Sequence, residues 1–168
     1  MQTRAPKHCN GGDTGAQDDW WLLAVQGGAG VSCLRRAGVA ARDAERCWPV
    51  EGLVVVVARR TAYGLEWARD AARQSASGEV PPGVLLAGLA VVADAPGRTP
   101  RRISRFLDLV GAAYPRVWEV PWVEEWRLAG HDEPLPLPPA ARQLDRDMQK
   151  LTSRSAQLGE GRNVVTWG

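Results

Sequence analysis

From Trp20 onward the apolar residues fall into short runs, separated by turn residues and by stretches with a helical period. WWLLAV (20–25) is the first run, and it stops at the glycine-rich QGGAGVS (26–32). Leu34, Ala37, Gly38 and Ala41 then recur at helical spacing, so this part predicts strand, tight loop and helix, the helix being punctuated by Trp48 and Pro49. LVVVVA (53–58) is apolar at every position, as suits a strand buried on both faces of a parallel sheet. Thr61 is placed to cap a helix carrying Leu65, Ala68 and Ala72 on one face and ending near Ser77 and Gly78. After Pro81, Pro82 and Gly83, VLLAGLAVVA (84–93) predicts another strand. Gly88 within it marks either a bulge or a close approach to the backbone.

Thr99 as N-cap and Pro100 at the first helical position predict a helix with Ile103, Phe106, Leu107 and Val110 in one stripe, ending around Gly111. RVWEVPW (116–122) gives a short strand stopped by Pro121, and HDEPLPLPP (131–139) an extended connector. Ala141, Leu144, Met148 and Leu151 predict a terminal amphipathic helix. The order is βαβαβαβ plus one helix, without an internal repeat. It implies an α/β fold of three layers, a mostly parallel sheet of about four strands with flanking helices and right-handed crossovers. The expected organisation is a disordered leader over 1–19, an α/β domain over 20–130, the connector over 131–139, a helix over 140–153 and a flexible tail over 154–168.

With 168 residues, 45% of them hydrophobic, the chain has the size of one domain able to bury roughly 70% of its unfolded surface. No apolar stretch approaches the ~20 residues of a membrane span, and the first twenty residues are charged instead of apolar, so a soluble, cytoplasmic protein is expected. A net charge of +2 is too small to imply nucleic acid by itself. Lys7 and Lys150 are the only lysines among 21 basic residues, and the remainder are arginine, as a GC-rich genome would produce. Cys9, Cys33 and Cys47 are odd in number and lack CxxC spacing, so they support neither a disulfide framework nor a zinc site. His8 and His131 are the only histidines, and no metal site and no catalytic triad is expected from them.

The chemistry-bearing candidate is the loop Gly27, Gly28, Ala29, Gly30, Val31 and Ser32 between first strand and first helix. Glycines there let backbone N–H groups approach an anion, and a helix N-terminus adds partial positive charge. A ligand-free βα turn is the other reading of the same residues. QGGAGVS resembles the deviant Walker A loop of MinD/ParA-type P-loop NTPases, Lys-Gly-Gly-x-Gly-Lys-Ser/Thr, and the likeness extends over roughly Trp20 to Trp126. The resemblance implies an ATP or GTP site with magnesium, Ser32 holding the ion, and a protein that works as a dimer in partition, septum or secretion machinery.

Two departures alter what the resemblance implies. Gln26 and Val31 stand where the family has lysines, and the second of those lysines reaches the β- and γ-phosphates. The ten or so residues before LVVVVA are also too few for the strand pair that carries the Walker B aspartate in the family. Asp94 and Gly97, in DAPG, resemble the DxxG switch turn, although Asp94 also reads as a plain turn residue. The expectation is therefore a non-catalytic MinD/ParA-like assembly or regulatory protein of a mobile-element, partition or conjugation system, with no resident cofactor and with a protein partner or a second copy. Two alternatives stay open. One is a weak ATP/GTP-binding switch or NTPase that uses Gly27 to Ser32. The other is a non-specific DNA-binding module that uses Arg59, Arg60, Arg98, Arg101, Arg102 and Arg105. Trp122 and Trp126, among eight tryptophans, are the candidate protein interface.

Overall fold

The computed structural model of the chain describes residues 7–8 and 20–157. Five strands form one parallel sheet: β2 (Trp20–Ala24), β3 (Arg42–Asp43), β5 (Glu51–Arg59), β6 (Gly83–Val92) and β7 (Val117–Val120), in the spatial order β3-β2-β5-β6-β7. Strands β1 (Lys7–His8) and β4 (Cys47–Trp48) make a separate parallel pair. Apart from Lys7–His8, the leader expected over 1–19 lies outside the described residues, as do the last eleven residues of the expected tail.

β5 sits at the centre because it has no polar face. Leu53, Val55 and Val57 enter one core, and Val54, Val56 and Ala58 enter the other. Complete burial of each valine is worth about 1.5–3 kcal/mol. The second core is closed by α2 (Ala62–Ser77) and α3 (Arg101–Gly111), through Leu65, Ala68, Ala71, Leu107 and Val110. The first is closed by α1 (Val31–Arg36) and α5 (Pro139–Gln157), through Leu34, Ala141, Leu144 and Met148. Asp147, 6% exposed, fixes α5 to β7. It accepts hydrogen bonds from Trp118 Nε1 at 3.0 Å and Gln143 Nε2 at 2.7 Å, and it pairs with Arg116 at 3.1 Å. A short helix, α4 (Glu125–Leu128), precedes the proline-rich connector.

The architecture is the expected α/β one, with differences at particular places. The sheet has five strands instead of about four, because Arg42–Asp43 pairs with Trp21 and Leu22 at the edge. Helix α1 ends at Arg36, well short of Ala41. Gly38 adopts φ +107 and closes a Schellman motif in which Val39 N–H donates to Leu34 O. Thr61 caps α2 as expected, its hydroxyl accepting from Gly64 N–H at 3.0 Å. Thr99 caps nothing; Pro100 takes the N-cap position of α3. Helix α5 runs to Gln157, four residues beyond the expected end.

Gly88 satisfies both readings of it. The β5–β6 register shifts beside it, and a Cβ on Gly88 would lie 2.5 Å from the Trp118 ring. Cys47 is disulfide-bonded and Cys33 is a free thiol, which corrects the expectation of no bridge. An odd cysteine count without motif spacing carries no information on pairing. The Tyr114 hydroxyl donates to Ala68 O and ties the end of α3 to α2, and burial pushes its phenol well above the usual tyrosine range.

Candidate functional site

The glycine-rich loop leaves the carboxyl end of β2 for α1, whereas the chain leaving β5 turns to α2 on the opposite face of the sheet. Numbered along the main sheet, the strands run 2-1-3-4-5. Doubly wound sheets of that order bind ligands in the crevice where the crossovers diverge, outside the carboxyl ends of strands 1 and 3. A cavity of about 330 Å³ lies there, lined by residues 26–33 of the loop and α1, by Asp43 at the end of β3 with Glu45 and Arg46 after it, and by Arg59 at the end of β5.

Gly28 and Gly30 hold the loop in shape with φ of +72 and +111, values that favour glycine, and a Cβ on Gly30 would press on Val92 at 3.2 Å. Arg59 staples the loop from above. Its Nε donates to Gly28 O at 2.5 Å and its Nη1 to Ala93 O at 3.0 Å, so one guanidinium ties the turns after β2 and β6 together. Gln26 turns its amide toward the start of α2. Its Oε1 is buried without a hydrogen-bond partner, and a Cβ on Gly64 would stand 2.8 Å from it. Val31, 5% exposed, points into the core beside Leu34, and Ser32 is exposed. Asp43 caps the opposite wall by accepting Glu45 N–H at 2.6 Å, with Arg35 at 3.9 Å from its other oxygen. Glu45 adopts φ +55, unusual for a residue other than glycine.

These residues do not fit a magnesium nucleotide. Val31 is an aliphatic side chain facing inward, Arg59 has two of its donors committed to carbonyls, and the other charged side chains on the wall are two carboxylates, Asp43 and Glu45, against the single cation Arg46. Among the described residues no three His, Cys, Asp or Glu side chains converge as metal ligands.

The other sequence candidates are scattered. Asp94 and Gly97 lie on an exposed turn after β6. Arg60 pairs with Glu119 at 3.3 Å. Arg98, Arg101, Arg102 and Arg105 are all exposed on and before α3. Trp122 and Trp126 are half-buried, and their indole N–H groups donate within the chain, to Glu124 and to Pro136 O. Asp43, Glu45 and Arg46 were missed as wall residues because β3 has no apolar run to announce it.

Fold and crevice define a doubly wound α/β protein with a glycine-rich βα loop. Residues 18–142 match the family of unknown function DUF6668, and the chain belongs to that family. No curated protein and no solved structure matches the chain. Among the described residues no helix is long and apolar enough to cross a membrane.

Proposed function

We propose that the protein is a non-catalytic binding or assembly component, built like a MinD/ParA-type P-loop protein whose phosphate-gripping machinery has been lost. The observation that carries the proposal is the inward Val31 side chain. Phosphoryl transfer needs a cation over the developing charge, and removing one such contact costs about 3–4 kcal/mol at the transition state, a factor of 10² to 10³ in rate. Here both lysine positions lack a charge, and Arg59 is occupied in holding the loop. The assembly half of the proposal rests on the resemblance, which makes a second copy or a protein partner of a partition, mobile-element or conjugation system the expected companion.

The test is thermal denaturation and phosphate release with ATP or GTP, with and without magnesium. No hydrolysis above background and an unchanged Tm are expected. A rise of several degrees that disappears in Gly30→Val overturns the proposal in favour of a nucleotide switch seated in the 26–33 cavity.

A further inference from the structure

Four arginines occupy one short stretch, Arg98 on the turn after β6 and Arg101, Arg102 and Arg105 in the first half of α3, against two acids, Asp94 before them and Asp108 one turn after Arg105. All four are exposed, and no ion pair or hydrogen bond engages them among the described residues. The first turn of α3 holds no acidic residue. Cations there meet the positive end of the helix dipole, an unfavourable placement that no acidic residue of that turn offsets. Arg146, Lys150 and Arg154 on α5 form a contrasting stripe. Arg154 lies in the last turn of its helix, where the dipole favours cations, and Arg146 donates to Gln143.

We propose that Arg98, Arg101, Arg102 and Arg105 form a docking surface for the phosphate backbone of duplex DNA. Arg59 and Arg60 are not part of it, the first being bound to Gly28 and Ala93 and the second to Glu119. Guanidinium groups engage phosphate oxygens in pairs, which suits arginine better than lysine for this contact. A lipid surface fits less well, because membrane-bound amphipathic helices insert an apolar face. The apolar stripe of α3 is already used, with Leu107 and Val110 in the core and Ile103 and Phe106 packed against it, which leaves Leu109 as the one large apolar side chain of the helix exposed. Single strands are held by bases stacked on aromatic side chains, and residues 98–105 include none. No side chain here is shaped to read base edges, so the contact is independent of sequence. It goes beyond the assembly role and does not depend on it.

Fluorescence anisotropy of the full chain with a labelled duplex of arbitrary sequence tests the proposal. Four phosphate contacts make the affinity fall about a hundredfold between 50 and 200 mM salt. AT-rich and GC-rich duplexes should bind alike. Combined Arg98→Gln, Arg101→Gln, Arg102→Gln and Arg105→Gln should abolish binding, and Arg101→Gln or Arg102→Gln alone should each lower the slope of log K against log salt by about 0.9. Combined Arg146→Gln, Lys150→Gln and Arg154→Gln should leave both affinity and slope unchanged. Absence of binding, unchanged binding in the fourfold variant, an equal loss in the α5 variant, or tighter binding to phosphatidylserine vesicles than to DNA would each overturn it. The single variants keep the test decisive if the fourfold protein does not fold.

Discussion

The turns after β2 and after β6 both leave the carboxyl edge of the sheet toward a helix, and Arg59 touches both of them, yet their charges are arranged in opposite ways. At the first turn the cation nearest the loop, Arg59, is consumed internally. Arg59 donates to Gly28 O and Ala93 O, Val31 is buried, and Asp43 and Glu45 share the wall. The second turn leads into four arginines that engage nothing among the described residues. The glycine-rich turn has the look of an anion site whose one remaining cation, Arg46, shares the cavity with two carboxylates, and the unremarkable-looking turn has the charge without the glycine run. Position in an α/β fold nominates a site; the partners of its charges decide whether it can receive a ligand.

The contrast breaks most readily at Gly30. If the first turn is chiefly structural, Gly30→Val should cost about 2–3 kcal/mol, from its φ of +111 and the pressure on Val92. That corresponds to a Tm lower by about 5–10 °C, read by calorimetry or circular dichroism. A Tm within a degree of the parent would mean that the loop is free to rearrange, and a ligand-gated turn would again be a reasonable description.

Arg59 is the next discriminator. Arg59→Met keeps the aliphatic stem and removes both carbonyl contacts, and a loss of about 2 kcal/mol is expected for hydrogen bonds from a charged donor at a half-exposed site. Calorimetry at neutral pH measures it. The same variant should leave duplex binding unchanged, since its guanidinium is not among those facing outward. A stable Arg59→Met protein with weakened DNA binding would merge the two turns into one surface and remove the distinction between them.

Much of the scaffold was legible from periodicity. LVVVVA became the central strand, the Thr61 cap and the Gly78 stop bound α2, and Ala141, Leu144 and Met148 are all fully buried on α5. Where the reading failed, the deciding contact was distant in sequence or too short to leave a pattern. β3 is two residues long and exists because β2 offers an open edge. Of the apolar period through Ala41 only Leu34 and Ala41 are buried, because Gly38 turns the chain out of the helix first and Ala41 reaches the same core from a loop. The motif spacing of 26–32 points to a loop that does line the crevice. It gave no sign that a guanidinium 31 residues from Gly28 would lie across it, or that two carboxylates would form the facing wall. The arginine excess is what a GC-rich genome produces, and only the contacts of each guanidinium separate Arg59 and Arg60 from Arg98 to Arg105.

The smallest expected effect bears on the second turn alone. Arg101 and Arg102 sit in the first turn of α3 with the helix dipole against them and no acidic neighbour within that turn. If they have no partner in the free protein, reversing their charge should stabilise it. Arg101→Glu and Arg102→Glu should each raise stability by about 0.3–1 kcal/mol at low ionic strength, a gain in Tm of one to a few degrees that shrinks as salt screens the interaction. Duplex binding should fall in the same variants, further than for glutamine at those positions, because a carboxylate repels the phosphate that a guanidinium attracts. Stability and binding would then move in opposite directions, the behaviour of residues retained for a partner and not for the fold. If both fall together, the arginines are anchored within the chain, and the two turns of this sheet differ less than their contacts suggest.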